Sequence, residues 1–410
     1  MKPTITLCMI VKNESHVILE CLNSVWKHIN YWVISDTGST DNTKELIETF
    51  FREKGIPGEF ADLPWKDFGH NKSHVLAACR GKADYAWHID ADDYLVDELP
   101  QINDLTVDCY KLKIKYGGLI HYREQIFKLE SDWDWVGVLH EWPKCKKENP
   151  IVQRLEGSYN IQARIIGGRS VGITDKEKYE RDAITLEEAL KTEPENSRYW
   201  FYLGQSYYDS GNWTKSKRAY LRCTELDGWH SEKAFAYYRA GICQEWITEF
   251  CADQKAIELY LKAYETEQRP EFLWQISRLF YLKYKEYHKA YIYLKIAYDT
   301  AYPENSLFPN AHICKYNILD DISIVAPFVG ENELAKTAIE KLLTENRQYI
   351  PNSELGRILN NYKILTNKEY KISTGPKGPG IPTENFDTNS DTFVPVLTKT
   401  VIPKGPVGIF

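Results

Sequence analysis

The sequence predicts two folded parts: an α/β domain built on a mostly parallel sheet, followed by an all-α solenoid of helical repeats. Three observations carry this. Up to about Cys109, short β-branched or aromatic runs alternate with amphipathic helical stretches. After about Gly172 the apolar spacing is helical and stays so to about Thr366. Within that second stretch one spacing pattern recurs. A chain of 410 residues suffices for two or three domains, each with its own core, and the divisions are expected at 1–175, 176–370 and a tail, 371–410.

In the first part, Ile5–Val11 reads as a strand, Ser15–His28 as a helix, Tyr31–Ser35 as a strand and Thr43–Lys54 as a helix with Asp41 as its N-cap. His70–Cys79 reads as a further helix and Tyr85–Ile89 as a buried strand. Continuous apolar strands separated by helices imply a sheet covered on both faces. Ligands in such sheets bind beyond the carboxyl ends of the strands. The residues to inspect are therefore Asn13 and Glu14, Asp36 to Asp41, and Asp90 to Asp93.

In the second part, Trp200, Leu203, Gly204, Tyr207, Ser216, Tyr220 and Cys223 follow the tetratricopeptide spacing. Trp274, Ser277, Arg278, Tyr281, Ala290, Leu294 and Ala297 repeat it. Tyr237, Ala240, Gly241 and Gln244 open a copy between them, closed by Ala256, Tyr260 and Ala263, and a weaker fourth unit runs from Leu319 through Ala335 and Ile339. Such repeats stack helix pairs into a curved surface that commonly holds a peptide or protein segment. Sixteen of the 28 tyrosines fall between Tyr199 and Tyr302, so some are expected to face outward. The tail holds six of the 18 prolines and five of the 23 glycines, the composition of a flexible or extended segment.

Composition excludes several classes. Fifty-one basic against 58 acidic residues give a net charge of -7, which argues against a general nucleic-acid binder. Nine scattered cysteines, with no C-x2-C pair, are expected to be reduced thiols of a cytoplasmic protein. No apolar run reaches the roughly 20 residues that span a bilayer, and Ile5–Val11 is too short for a signal peptide.

The chemistry concentrates in Trp87-His88-Ile89-Asp90-Ala91-Asp92-Asp93, a strand that runs into three carboxylates. Hard divalent cations take one or two carboxylates and complete their shell with substrate phosphates. Val33-Ile34-Ser35-Asp36-Thr37-Gly38-Ser39-Thr40-Asp41 is a second strand ending in an acidic turn, and Ile10-Val11-Lys12-Asn13-Glu14 a third. His88, inside its strand, is expected to be a core histidine. Arg123 and Lys128 flank the Ile126-Phe127 strand and are placed to offset phosphate charge.

Over residues 4 to 172 these motifs resemble the family-2 glycosyltransferases of GT-A fold (Rossmann-like, mostly parallel sheet), with Asp90-Ala91-Asp92 similar to their DxD and Phe68-Gly69-His70-Asn71-Lys72 to their Phe-x-Arg-Asn-Lys. Gly137-Val138-Leu139-His140-Glu141 resembles the Gly-x-x-His-Glu of a branch with C-terminal repeats, which includes lipopolysaccharide-core glucosyltransferases and sublancin-type peptide S-glycosyltransferases. His70 stands where that branch usually has arginine, and Arg169-Ser170 where a histidine often precedes Gly-Tyr.

The resemblance implies an inverting hexosyltransferase that uses a UDP-sugar and Mn2+ or Mg2+. It implies Glu141 as base with His140 as its orienter, and Asn13, Glu14, Asp36, Asp41, Asn71, Lys72 and Asp90 on the donor. Asp92 and, by elimination, His140 are the implied metal ligands. A protein or peptide acceptor fits the repeats. Two alternatives stay open: a glycan or lipid-linked acceptor with the repeats forming a homodimer, and a repeat adaptor whose transferase domain is inactive.

Overall fold

Seven residues in a row, Ile5–Val11, form an inner strand whose side chains alternate between two cores. Leu7 and Met9 face one, with Leu22, Ile47, Trp87 and Ile126; Cys8 faces the other, with Val75, Ala86, Phe127 and Trp135. The computed structural model describes residues 2–370 apart from 117, 118, 171, 248–250 and 305, so the expected tail lies outside the described residues. These residues divide into two units, one ending at Thr192 and the other beginning at Glu193.

The first unit runs β1 (Ile5–Val11), α1 (Ile18–Val25), β2 (Tyr31–Asp36), α2 (Thr43–Lys54), β3 (Gly58–Phe60), α3 (Phe68–Ala78) and β4 (Tyr85–His88). It continues through β5 (Tyr94–Val96), β6 (Cys109–Tyr116), β7 (Leu119–Lys128), β8 (Trp133–Val136), β9 (Trp142–Cys145), β10 (Val152–Arg154), β11 (Asn160–Gln162) and α4 (Asp175–Thr192). Among the described residues the main sheet has the order β3-β2-β1-β4-β7-β6-β11-β5, with β10 beside β6. Strands β3, β2, β1 and β4 are parallel, and β7 enters antiparallel between β4 and β6. Strands β8 and β9 form a separate hairpin.

Three local expectations are corrected. Helix α1 starts at Ile18 rather than Ser15, because the carbonyl of Glu14 accepts the N–H groups of Val17 and Ile18 in a turn. Asn42, not Asp41, is the N-cap of α2; Asp41 instead accepts from the Thr43 amide and hydroxyl. Lys128 lies opposite Tyr85, at the far end of the antiparallel β7 from Asp90, and pairs with Glu130.

The second unit consists of helix pairs in which the repeat positions pack as their spacing requires. They are α5 (Ser197–Asp209) with α6 (Trp213–Glu225), α7 (His230–Trp246) with α8 (Ala252–Thr266), α9 (Pro270–Arg278) with α10 (Tyr287–Asp299), and α11 (Ile318–Val325) with α12 (Asn332–Glu345), followed by α13 (Asn352–Thr366). A Cβ on Gly204 would lie 2.7 Å from the Tyr220 ring, and one on Gly241 2.5 Å from Tyr260, so glycine lets each pair close on its aromatic. Tyr199, Tyr202, Tyr207, Tyr220, Tyr238, Tyr260 and Tyr281 are buried, eight more are half-buried, and of the sixteen Tyr284 is the exposed one. The tyrosine excess is therefore divided between packing and partly exposed positions.

The repeat positions Trp274 and Tyr281 donate to the two oxygens of the buried Asp321, both at 2.6 Å. Burial, with the neighbouring Asp320, raises the Asp321 carboxyl from its ordinary 3.8 to about 7. The proton is held more tightly folded than unfolded, so the stabilisation is complete below about pH 4 and is lost as pH rises through 7. Relative to Asp321→Asn, the wild type is expected to lose up to roughly 4 kcal/mol across that window. Thermal melts of both proteins at a series of pH values check this, and parallel curves would refute it.

Candidate active site

Because β1, β2 and β4 are parallel and adjacent, their carboxyl ends present three polar loops side by side. The first two loops are laced together. The amide of Asn13, a residue in left-handed conformation, donates to Ser39 Oγ at 2.9 Å, and Asn13 Oδ1 accepts from the Thr40 amide at 2.7 Å. The Glu14 amide donates to Thr43 Oγ1 at 2.8 Å and the Ser15 amide to Asp41 Oδ2 at 3.2 Å. Desolvation pulls the Asp41 carboxyl up, but its bonds from Thr43 and Ser15 outweigh that and hold it at about 2. Asp36 Oδ1 accepts the amides of Gly38 and Ser39, closing its own turn. Asn13 and Asp41 thus brace the first two loops against each other, and Asp36 stands half-buried at the end of β2.

Beneath the third loop sits a buried cation. Lys72 occupies a place on the inward stripe of α3, with Gly69, Val75 and Leu76, where an apolar residue would be ordinary. Its ammonium lies 2.7 Å from Glu141 Oε1 and 3.3 Å from Asp90 Oδ1, and 5.0 Å from the centre of the Trp135 ring. Burial would discharge it, but Asp90 and Glu141 more than compensate, and its pKa is raised. Asp90 also meets Arg123 at 3.5 Å and His88 Nε2 at 3.5 Å. Burial pushes the Asp90 carboxyl up, yet Lys72 first, then His88 and Arg123, keep it well below the usual range. His88 is buried against Trp135, and burial followed by the Lys72 charge lowers it to about 4, so it is a neutral neighbour of the cluster.

Glu141 reaches Lys72 because two glycines allow its loop to sit on α3. The amide of Gly69 donates to the carbonyl of Gly137 at 3.1 Å, and a Cβ on Gly69 would lie only 2.4 Å from that oxygen. Gly137 has φ +113, a conformation that other residues rarely adopt.

Asp92 points to a second glycine loop. Its Oδ2 accepts the amides of Ile166 at 3.2 Å and Gly167 at 3.0 Å, while Glu14 Oε1 accepts that of Gly168 at 3.0 Å. A Cβ on Gly167 would be 3.2 Å from both carboxylates, and Glu14 Oε2 is buried without a hydrogen-bond partner. Burial and the neighbouring Asp92 raise Glu14 to about 7, and burial and Asp90 raise Asp92. Two under-neutralised carboxylates with one orphaned oxygen suit a hard divalent cation that draws its remaining ligands from phosphate. Among the described residues no three His, Cys, Asp or Glu side chains gather at one point to hold a metal.

Residues 6–102, which carry all three strand-end loops, match the family described as Glycosyl transferase family 2. The N-terminal unit carries a family 2 glycosyltransferase domain. The chain is 26% identical over 220 residues to the SPbeta prophage-derived glycosyltransferase SunS of Bacillus subtilis, covering 50% of each protein. It therefore spans about half the length of the curated relatives it matches first. It is also 34% identical over 94 residues to a TPR repeat-containing protein of Synechococcus elongatus, covering 23% of this chain and 22% of that protein. Among solved structures, S. aureus TarS 1-349 in complex with UDP-GlcNAc aligns at 14% identity and TM-score 0.35, over 64% of this chain and 91% of that one.

Within the glycosyltransferase domain, the remaining expected residues are placed as follows. Asn71 is fully buried and latches the preceding segment, accepting from the Lys66 amide at 2.9 Å and donating to the Pro64 carbonyl at 3.2 Å. His70 is exposed, its amide bound to Asp67 at the start of α3. His140 takes a left-handed backbone (φ 53) that turns the chain into Glu141; the charged partner of Glu141 is Lys72. Arg169 forms an ion pair with Asp182 of α4 and covers the Phe68 ring.

Sequence reasoning singled out Asp93 without giving it a role, and missed Arg164 and Trp135. Asp93, fully buried, pairs with Arg123 at 3.2 Å and accepts the Arg164 amide, also at 3.2 Å. Arg164 Nε donates to the Asp92 carbonyl at 2.6 Å and its guanidinium reaches Glu20. Trp135 floors both His88 and Lys72. The strand-end rule would have found Arg164 had the three-residue β11 been recognised.

Gly168 tests the loop. A Cβ there would lie 2.4 Å from the Lys12 carbonyl and 2.6 Å from that of Asn13, both backbone atoms. Gly168→Ala is expected to cost about 1–3 kcal/mol and to loosen the loop from Glu14 and Asp92. A fall in melting temperature with faster amide exchange at 166–168 would bear this out; an unchanged melt would contradict it.

Proposed function

We propose that the chain is a metal-dependent, inverting glycosyltransferase. It moves glucose or N-acetylglucosamine from a UDP-sugar to a protein or peptide acceptor held partly by the repeats. In this reading the transferase domain runs to about residue 175 and the repeats to about 370. The observation that carries it is the Lys72 ammonium, which joins the strand-end Asp90 to Glu141 beside the Asp92 and Glu14 pair.

The roles follow from position. Asp36, at the carboxyl end of β2, meets the nucleoside, while Asn13, Asp41 and Asn71 brace the segments beside it. Lys72 and Arg123 supply positive charge for the diphosphate, with Asp90 holding both cations in place. Asp92, with Glu14 beside it, is the place for Mn2+ or Mg2+, which when bound would offset charge on the departing diphosphate. Glu141 accepts the proton of the acceptor hydroxyl or thiol as that atom bonds to the anomeric carbon. The bond from that carbon to the diphosphate oxygen breaks on the opposite face, and configuration inverts. His140 shapes the turn that aims Glu141.

The peptide acceptor is supported by the helical repeats and by the branch that the Gly-x-x-His-Glu motif resembles. A reducing, cytoplasmic setting accords with nine cysteines that are all unpaired. No described helix is long and apolar enough to cross a membrane.

Calorimetric titration of UDP-glucose, UDP-N-acetylglucosamine and GDP-mannose, with Mn2+ and then with EDTA, tests the donor half. Metal-dependent binding of a UDP-sugar is expected in the wild type and lost in Asp92→Ala. For the chemical half, Glu141→Gln is expected to keep donor binding while transfer, or slow hydrolysis of the donor, falls by about 10²- to 10⁴-fold. Undiminished turnover in Glu141→Gln would remove Glu141 from the mechanism.

A further inference from the structure

A carboxylate paired with a buried ammonium is a weaker base than a free one, and Glu141 Oε1 holds Lys72 at 2.7 Å. We propose that Lys72 changes partners during the catalytic cycle: the incoming diphosphate draws its ammonium away from Glu141, so that the base is released only when the donor is in place. This rests on the reading of the chain as a nucleotide-sugar transferase, and concerns the order in which that site assembles.

Three features of the site support the exchange. First, Lys72 is shared unequally. Asp90 has the Arg123 guanidinium on it as well, at 3.5 Å, so its charge stays partly compensated if Lys72 moves, whereas Glu141 holds Lys72 at 2.7 Å, with Arg123 and Arg169 also acting on it electrostatically. Second, the ammonium sits on a flexible four-carbon stem, and a diphosphate, with its greater charge, competes strongly for it. Third, the two ends of Lys72's reach belong to different functional surfaces. Asp90 ends a strand of the sheet, and Glu141 lies on the loop that Gly69 and Gly137 seat on α3. One side chain thus couples the donor edge to the acceptor side, and before the donor arrives Glu141 is held as the partner of Lys72.

Exchange predicts competition between Glu141 and the diphosphate for one ammonium. The test is a double-mutant cycle read by calorimetry with UDP and Mn2+ on full-length wild type, Glu141→Gln, Lys72→Met and the double variant. Glu141→Gln is expected to bind UDP at least about threefold tighter than wild type, and that gain is expected to shrink or vanish in the Lys72→Met background. Should Lys72→Met lose its cooperative melt, Lys72→Gln takes its place in the cycle, because it still donates to both carboxylates. Unchanged or weaker UDP binding by folded Glu141→Gln overturns the exchange. So does an equal gain in both backgrounds, which would mark a general charge effect. Wild type that binds no nucleotide-sugar overturns the glycosyltransferase reading itself, whereas wild type that binds while the cycle is flat overturns the exchange alone.

Discussion

A single buried ammonium organises the N-terminal unit. Removing a lysine from water costs several kcal/mol unless it is paired, and Lys72 meets that cost with two carboxylates drawn from distant parts of the chain. Helix α3 brings the cation, strand β4 brings Asp90, and the turn after β8 brings Glu141. Lys72 would not be tolerated in its buried place without the two carboxylates. The packing of α3 on the β8 side and the aim of the strand-end carboxylates are thus one electrostatic arrangement.

Around it, the site is built by backbone as much as by side chains. Amides of residues 166 to 168 hold Asp92 and Glu14, and amides of residues 38 and 39 hold Asp36. Such donors cannot rotate away, so they preset the carboxylates at little further entropic cost. They also leave the carboxylates incompletely neutralised, which is the condition a cation-assisted site requires.

Much of the fold was legible from spacing. Strand β1 and helix α2 followed from an unbroken apolar run and a clean helical stripe, and the repeats from recurrent offsets such as Gly204 with Tyr220. Asp36, Asp90 and Asp92 were found because a parallel strand must end in the ligand-binding edge. The failures have equally local causes. The direction of β7 cannot be read from its alternation, so Lys128 was assigned to the wrong end of the sheet. Strand β11, three residues long, has no readable period, and Arg164 was lost with it. The contact of Lys72 with Glu141 joins residues far apart in sequence, and no local rule pairs them.

The ion pair of Arg169 with Asp182 gives the long helix α4 a part in placing the glycine loop. The segment that presents its amides to Asp92 and Glu14 is pinned, one residue later, to the middle of that helix. The ion pair therefore fixes the carboxyl-side end of the amide-donor segment to α4, so the placing of those donors depends on that helix as well as on Asp92 and Glu14.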